Sequence, residues 1–80
     1  MATSTMRQYF EEALEQGLAQ GLQRARREDV VRILRRRFGA VVVELEDAIG
    51  RVDDLALLDR LFDAALTVGS PEEMLPLLQR

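Results

Sequence analysis

The stretch Arg24-Ala-Arg-Arg-Glu-Asp-Val-Val-Arg-Ile-Leu-Arg-Arg-Arg-Phe-Gly39 decides how this chain is read. Val30, Val31, Leu34 and Phe38 fall within one arc at helical spacing, while Arg24, Arg32, Arg35 and Arg36 project from the opposite side. Glu28 stands four residues after Arg24 and four before Arg32, so it can pair with either. Arg35, Arg36 and Arg37 occupy the last turn, where positive charge suits the negative end of a helix. Gly39 follows at the position where a left-handed residue closes a helix. The stretch is the C-terminal half of an amphipathic helix with a defined stop.

Upstream, no proline interrupts the pattern back to Thr5, which has Gln8 at capping-box spacing, with Ser4 as the alternative cap. Met6, Phe10, Leu14, Leu18 and Leu22 recur every fourth residue, and Ala13, Gly17, Gly21 and Ala25 do the same one position earlier. One helix over residues 5–38 would span roughly 50 Å, too long for the rest of the chain to cover. Gly17 and Gly21 each cost about 1 kcal/mol relative to alanine inside a helix. Two explanations fit them: drift in an exposed helix, or the close approach of a second helix that only small residues allow. Glu11, Glu12, Glu15, Gln16, Gln20 and Gln23 keep this helix out of a membrane. A four-residue repeat overshoots the 3.6-residue turn, which favours crossing helices over a long parallel coiled coil.

Downstream, Val41, Val42 and Val43 have strand propensity, but no second strand-like run exists to pair with them. Val42, Leu45, Ile49 and Val52 recur at helical spacing, which places a short helix over residues 41–49. Asp53 is read as the cap of a third helix over 54–68, with Asp54 in its first turn and Leu55, Leu58, Leu61, Phe62 and Ala65 on its apolar face. Ser70-Pro-Glu-Glu73 combines a cap, a first-position proline and a capping box at the head of a last helix over 71–79. Pro76 keeps that helix short or kinked. The expected fold is all-α: a long N-terminal helix, three short helices, and a small bundle completed by oligomerisation. Residues 1–26 read as the association or linker part of the long helix, and residues 27–80 as the small helical domain. The expected core is Val31, Leu34, Phe38, Leu45, Ile49, Leu58, Leu61, Phe62 and Ala65.

Composition narrows the function. Eighty residues make one small domain with a marginal core of its own. With no cysteine and no histidine, disulfides and the usual zinc ligands are excluded, and a partner subunit is the remaining device for stability. There is also no lysine, so the common nucleophile and base arrangements are missing; no catalytic residue, cofactor site or metal site is assigned. Asp53 and Asp54 are better explained by a helix start than by a cation. The net charge is −3, yet charge is segregated. Residues 24–37 hold seven arginines against Glu28 and Asp29, a net of +5; residues 44–63 hold seven acids against Arg51 and Arg60, a net of −5. The acidic helices are expected to pack on the basic one, in the same chain or in a partner. Met1 to Thr5 shows neither a basic region nor an apolar run, and no stretch approaches the ~20 apolar residues of a membrane span. A cytoplasmic protein is the expectation.

From about Arg27 to Leu75 the chain resembles a known family. The residues that carry this are Val31-Arg-Ile-Leu-Arg-Arg-Arg-Phe-Gly39, Leu45 with Ile49, Asp54-Leu-Ala-Leu-Leu-Asp-Arg-Leu-Phe-Asp-Ala-Ala65 and Ser70-Pro-Glu-Glu73. The chain looks like the small helical domain of unknown function at the C-terminal end of bacterial proteins of the recombination-promoting nuclease, or putative transposase, group. In that family a nuclease domain of the PD-(D/E)XK type usually precedes it, often through a glycine-, glutamate- and glutamine-rich helix such as Glu15-Gln-Gly-Leu-Ala-Gln-Gly-Leu-Gln23. Ala40-Val-Val-Val43 departs from the family pattern, which has a proline-containing turn there. With no lysine to complete the nuclease motif, no catalytic residue carries over.

Three readings follow, the third being a regulatory fragment that binds a separate nuclease subunit through the same helix. The first is a self-association module whose interface is Phe10, Leu14, Gly17, Leu18, Gly21 and Leu22, giving a homo-oligomer, most simply a dimer, with a nuclease domain or subunit as a further partner. The second is an accessory nucleic-acid module using Arg24, Arg32, Arg35 and Arg36; the nearby acidic block makes that binding weak or absent at physiological salt.

Overall fold

A computed structural model describes the backbone of residues 2–79 and the side chains of residues 7–79. The elements run α1 (Ala2–Phe38), α2 (Val43–Gly50), α3 (Leu55–Thr67), a 3-10 turn (Pro71–Met74) and α4 (Leu75–Leu78). No strand occurs among the described residues, so the chain is a small all-α fold led by one long helix.

Helix α1 starts before the expected cap. Ser4 and Thr5 fall inside it, and their side chains lie outside the described ones. It ends where the sequence says: Gly39 adopts φ +88° and its N–H donates to Arg35 O at 2.8 Å. The left-handed residue turns the chain so that α2 returns along α1. Arg35 near the end of α1 reaches Glu46 early in α2, and Arg27, further back, reaches Val52 just beyond α2. The chain then reverses again. Asp59 and Phe62 of α3 lie beside Arg26, while Ala65 lies beside Arg37, so α3 runs parallel to α1.

The buried core is Val30, Leu34, Leu45, Ile49, Leu58, Leu61, Ala65 and Met74. Three expected members differ. Val31, Phe38 and Phe62 are half-buried and pack against this core, whereas Val30 and Met74 are fully inside it. The arginines explain the two rings: the Arg26 guanidinium lies 4.9 Å from the Phe62 centroid, and that of Arg37 lies 4.7 Å from Phe38. A cation over an aromatic face satisfies a ring that the core does not enclose.

Element boundaries shift for local reasons. Helix α2 begins at Val43, because Val42 is extended, with φ −65° and ψ 146°, and its carbonyl accepts from Leu45 N and Glu46 N at 3.1 Å each. Asp54, not Asp53, caps α3, accepting from Ala56 N at 3.0 Å. Asp53 is instead engaged by Arg27 at 3.3 Å. Helix α3 stops at Thr67, ahead of Gly69. The capping box at Ser70 is in place: the Glu73 carboxylate accepts from Ser70 N at 2.9 Å and from Gly69 N. The expected single last helix divides in two. Pro76 has no N–H to reach Glu72 O, so the Leu75 N–H bonds that carbonyl in 3-10 fashion before α4 begins.

Candidate functional site

Two surfaces of α1 remain after the fold is accounted for. The first is its N-terminal half. Every described side chain from Arg7 to Leu22 is exposed, and the first half-buried one is Gln23. The exposed set includes Phe10 at 65%, Leu14 at 51%, Leu18 at 68% and Leu22 at 58%. These four continue, through Arg26, into Val30, Leu34 and Phe38, a single row at four-residue spacing. Each step of such a row over-rotates by about 40°. Going back from Val30 to Leu14 therefore swings the row about 160° around the helix, from the core face to nearly the opposite face. No helix of this chain's own bundle can follow it. Arg26 sits at the border, tied by its ion pair to Asp59 at 3.1 Å and by its stacking on Phe62. Met6, expected at the head of the row, has its side chain outside the described residues.

Gly17 and Gly21 lie in the neighbouring row with Ala13 and Ala25. A Cβ added at either glycine meets nothing within 4 Å. Nothing in the described part of the chain requires a glycine there. Both border a trough of about 790 Å3 whose other walls include Gln16, Gln20, Gln23 and Asp53. Tyr9, 70% exposed, is an apolar contributor the four-residue pattern does not pick out, because it lies about 100° round the helix from Phe10.

The second surface is a groove of about 630 Å3 between α1 and α2. It brings together all four arginines singled out from the sequence, Arg24, Arg32, Arg35 and Arg36, and adds Arg27. Val31, Ile49 and Gly50 line it as well, and Glu28 and Glu46 are the acids within it. Arg27 is fixed by its bonds to Val52 O at 2.9 Å and to Asp53, and Arg35 by Glu46 at 2.8 Å. Among the described residues Arg24, Arg32 and Arg36 have no ion pair. Glu28, which the spacing offered to Arg24 or Arg32, pairs with neither.

The segregated charge is used within the chain. The three ion pairs among the described residues all join the basic block to the acidic one: Arg26 to Asp59, Arg27 to Asp53 and Arg35 to Glu46. All are solvent-accessible to some degree, so each contributes about 0–1 kcal/mol. Their role is to fix where α2 and α3 lie on α1. No described helix is long and apolar enough to cross a membrane. Comparison with family models, with curated proteins and with solved structures returns no match.

Proposed function

We propose that this chain is a non-enzymatic self-association module, a homo-oligomer and most simply a two-fold dimer, formed through the N-terminal half of α1. The observation that carries this is the apolar row Phe10, Leu14, Leu18 and Leu22, exposed and wound away from the chain's own bundle. Burying one leucine is worth about 1.5–3 kcal/mol. Leaving three exposed forgoes a sum comparable with the whole stability of a small domain, ~5–15 kcal/mol. A second copy supplies what the bundle cannot. Its large row fits the furrow left by the small row of Ala13, Gly17, Gly21 and Ala25, and packing of two four-residue ridges crosses helices at about −50°. The glycines then allow the backbones to approach closely.

The resemblance to the helical domain of the nuclease group is compatible with the same reading, since that domain has no catalytic motif of its own to carry over. A nuclease domain or subunit is the further partner it implies. The nucleic-acid reading is weaker. Groove residues carry five arginines against two glutamates, a net of +3, which leaves −6 on the rest of a chain whose total is −3. A long polyanion would meet that remainder.

The test is the mass in solution of Leu14→Glu with Leu18→Glu, beside the unaltered chain, at low and high micromolar concentration. The unaltered chain is expected to gain mass with concentration and the double variant to stay monomeric. An unaltered chain that is monomeric throughout removes the proposal.

A further inference from the structure

We infer that the groove between α1 and α2 is a binding site for a small organic oxyanion, one that joins a phosphate or paired carboxylates to a flat or apolar body. Most arginines of the basic block are accounted for. Arg26, Arg27 and Arg35 have acidic partners, and Arg37 donates to Ala65 O at 2.7 Å. The three with neither kind of partner among the described residues, Arg24, Arg32 and Arg36, lie in one row at four-residue spacing in which Glu28 takes the remaining place, and all line the same groove. Positive charge at the C-terminal end of a helix accounts for Arg36, but Arg24 and Arg32 lie outside the last turn. Like charges four residues apart, as at Arg32 and Arg36, destabilise a helix, and Glu28 stands on the far side of Arg32 from Arg36.

The groove offers donors to such a ligand. At its α2 end the Ile49 carbonyl is engaged elsewhere, accepting from Val52 N. Guanidinium groups bind oxyanions through paired parallel N–H donors and also stack on flat bodies. Val31 is half-buried and gives the groove its accessible apolar surface, Ile49 lies fully buried beneath it, and Gly50 leaves its end without a side chain. A volume of about 630 Å3 suits one small molecule. Arg27 and Arg35 are already held in position by their partners, which leaves the other three to close on the anion. Arg24 and Arg27 also border the trough beside Gly17 and Gly21, whereas Arg32 and Arg36 do not; Leu14 and Arg32 are 18 residues, or about 27 Å, apart on the helix.

Calorimetry with three probes tests this: 1-naphthyl phosphate, inorganic phosphate and 1-naphthol. We expect 1-naphthyl phosphate to bind about tenfold more tightly than either of the others, since only it uses both the arginines and the apolar surface. Arg32→Gln with Arg36→Gln, both exposed positions, should weaken it about tenfold while the helical circular dichroism stays unchanged, and Arg7→Gln should not weaken it. Equal affinities for phosphate and 1-naphthyl phosphate would overturn the site, as would an unchanged affinity in the double variant. Displacement of the probe by a DNA duplex at equal phosphate concentration would overturn it in favour of a polyanion. The solution mass of the same samples reports self-association separately.

Discussion

Gly39 carries the turn on which the bundle depends, and its φ of +88° is a conformation that a Cβ disfavours. The space around it is open, so any substitution acts through the backbone alone. Gly39→Ala is expected to destabilise the chain by about 1–2 kcal/mol. Gly50 is the opposite case: it ends a helix without a positive φ, and a Cβ added there meets nothing within 4 Å. Gly50→Ala should be neutral or stabilising by up to about 1 kcal/mol. Urea unfolding of the two variants checks both signs, and equal effects would remove the backbone argument. Gly39 was legible because a helical pattern with arginines in its last turn runs into a glycine. Two other residue-level readings failed because tertiary contacts outweighed local preference. Asp53 and Asp54 are equally good caps by type, and Arg27 takes the first, which leaves the second to cap α3. Val30 and Val31 both have apolar neighbours at helical spacing, and α3 packs on the side of α1 that holds Arg26 and Arg37, which buries Val30 and leaves Val31 at the groove.

At the level of elements, four helical segments and the absence of a strand among the described residues followed from periodicity, because each apolar face repeats at three or four residues and the sequence offers no second strand-like run to pair with the three valines. The exposed apolar row was legible for the same reason, since the four-residue row of large side chains and its small neighbour stand out in α1. What could not be read was the winding of that row relative to the bundle, which depends on where α3 lies. Arg27 also escaped notice as part of the groove, its only signal being its place three residues after Arg24. Gly17 and Gly21 give a prediction at this scale. In a free helix their replacement by alanine adds up to about 2 kcal/mol of helix stability. In a close crossing the same methyl groups push the two backbones apart. Circular dichroism is expected to show Gly17→Ala with Gly21→Ala no less helical than the unaltered chain, while Gly17→Leu with Gly21→Leu abolishes the dimer. A leucine pair that leaves the dimer unchanged would preserve association but remove the crossing at the glycines.

The whole molecule has extents of 57 × 25 × 20 Å and a radius of gyration of 16.5 Å. A compact domain of this length has about 12 Å. The difference is the free half of α1, and it makes the molecule two things at once. All eight core residues lie from Val30 to Met74, and no described side chain before Gln23 is even half-buried. With the rest of its charge negative, the chain should bind a DNA duplex weakly at physiological salt; binding that falls steeply with added salt and vanishes in Arg32→Gln with Arg36→Gln would reverse this. Removing residues 1–22 separates the two parts. The shortened chain keeps the core, Gly39, the three ion pairs and the Ser70 box. It should therefore unfold cooperatively, at a midpoint close to that of the full chain measured when dilute. It should also be monomeric at every concentration. On the proposed self-association the full chain should behave differently: a partner that binds only the folded state raises the unfolding temperature by mass action, so its midpoint should climb as protein concentration rises. Thermal unfolding of both chains over a wide concentration range makes the comparison. A shortened chain whose midpoint still climbs would place the interface on the bundle, and one that does not fold would show that the free helix supports the core.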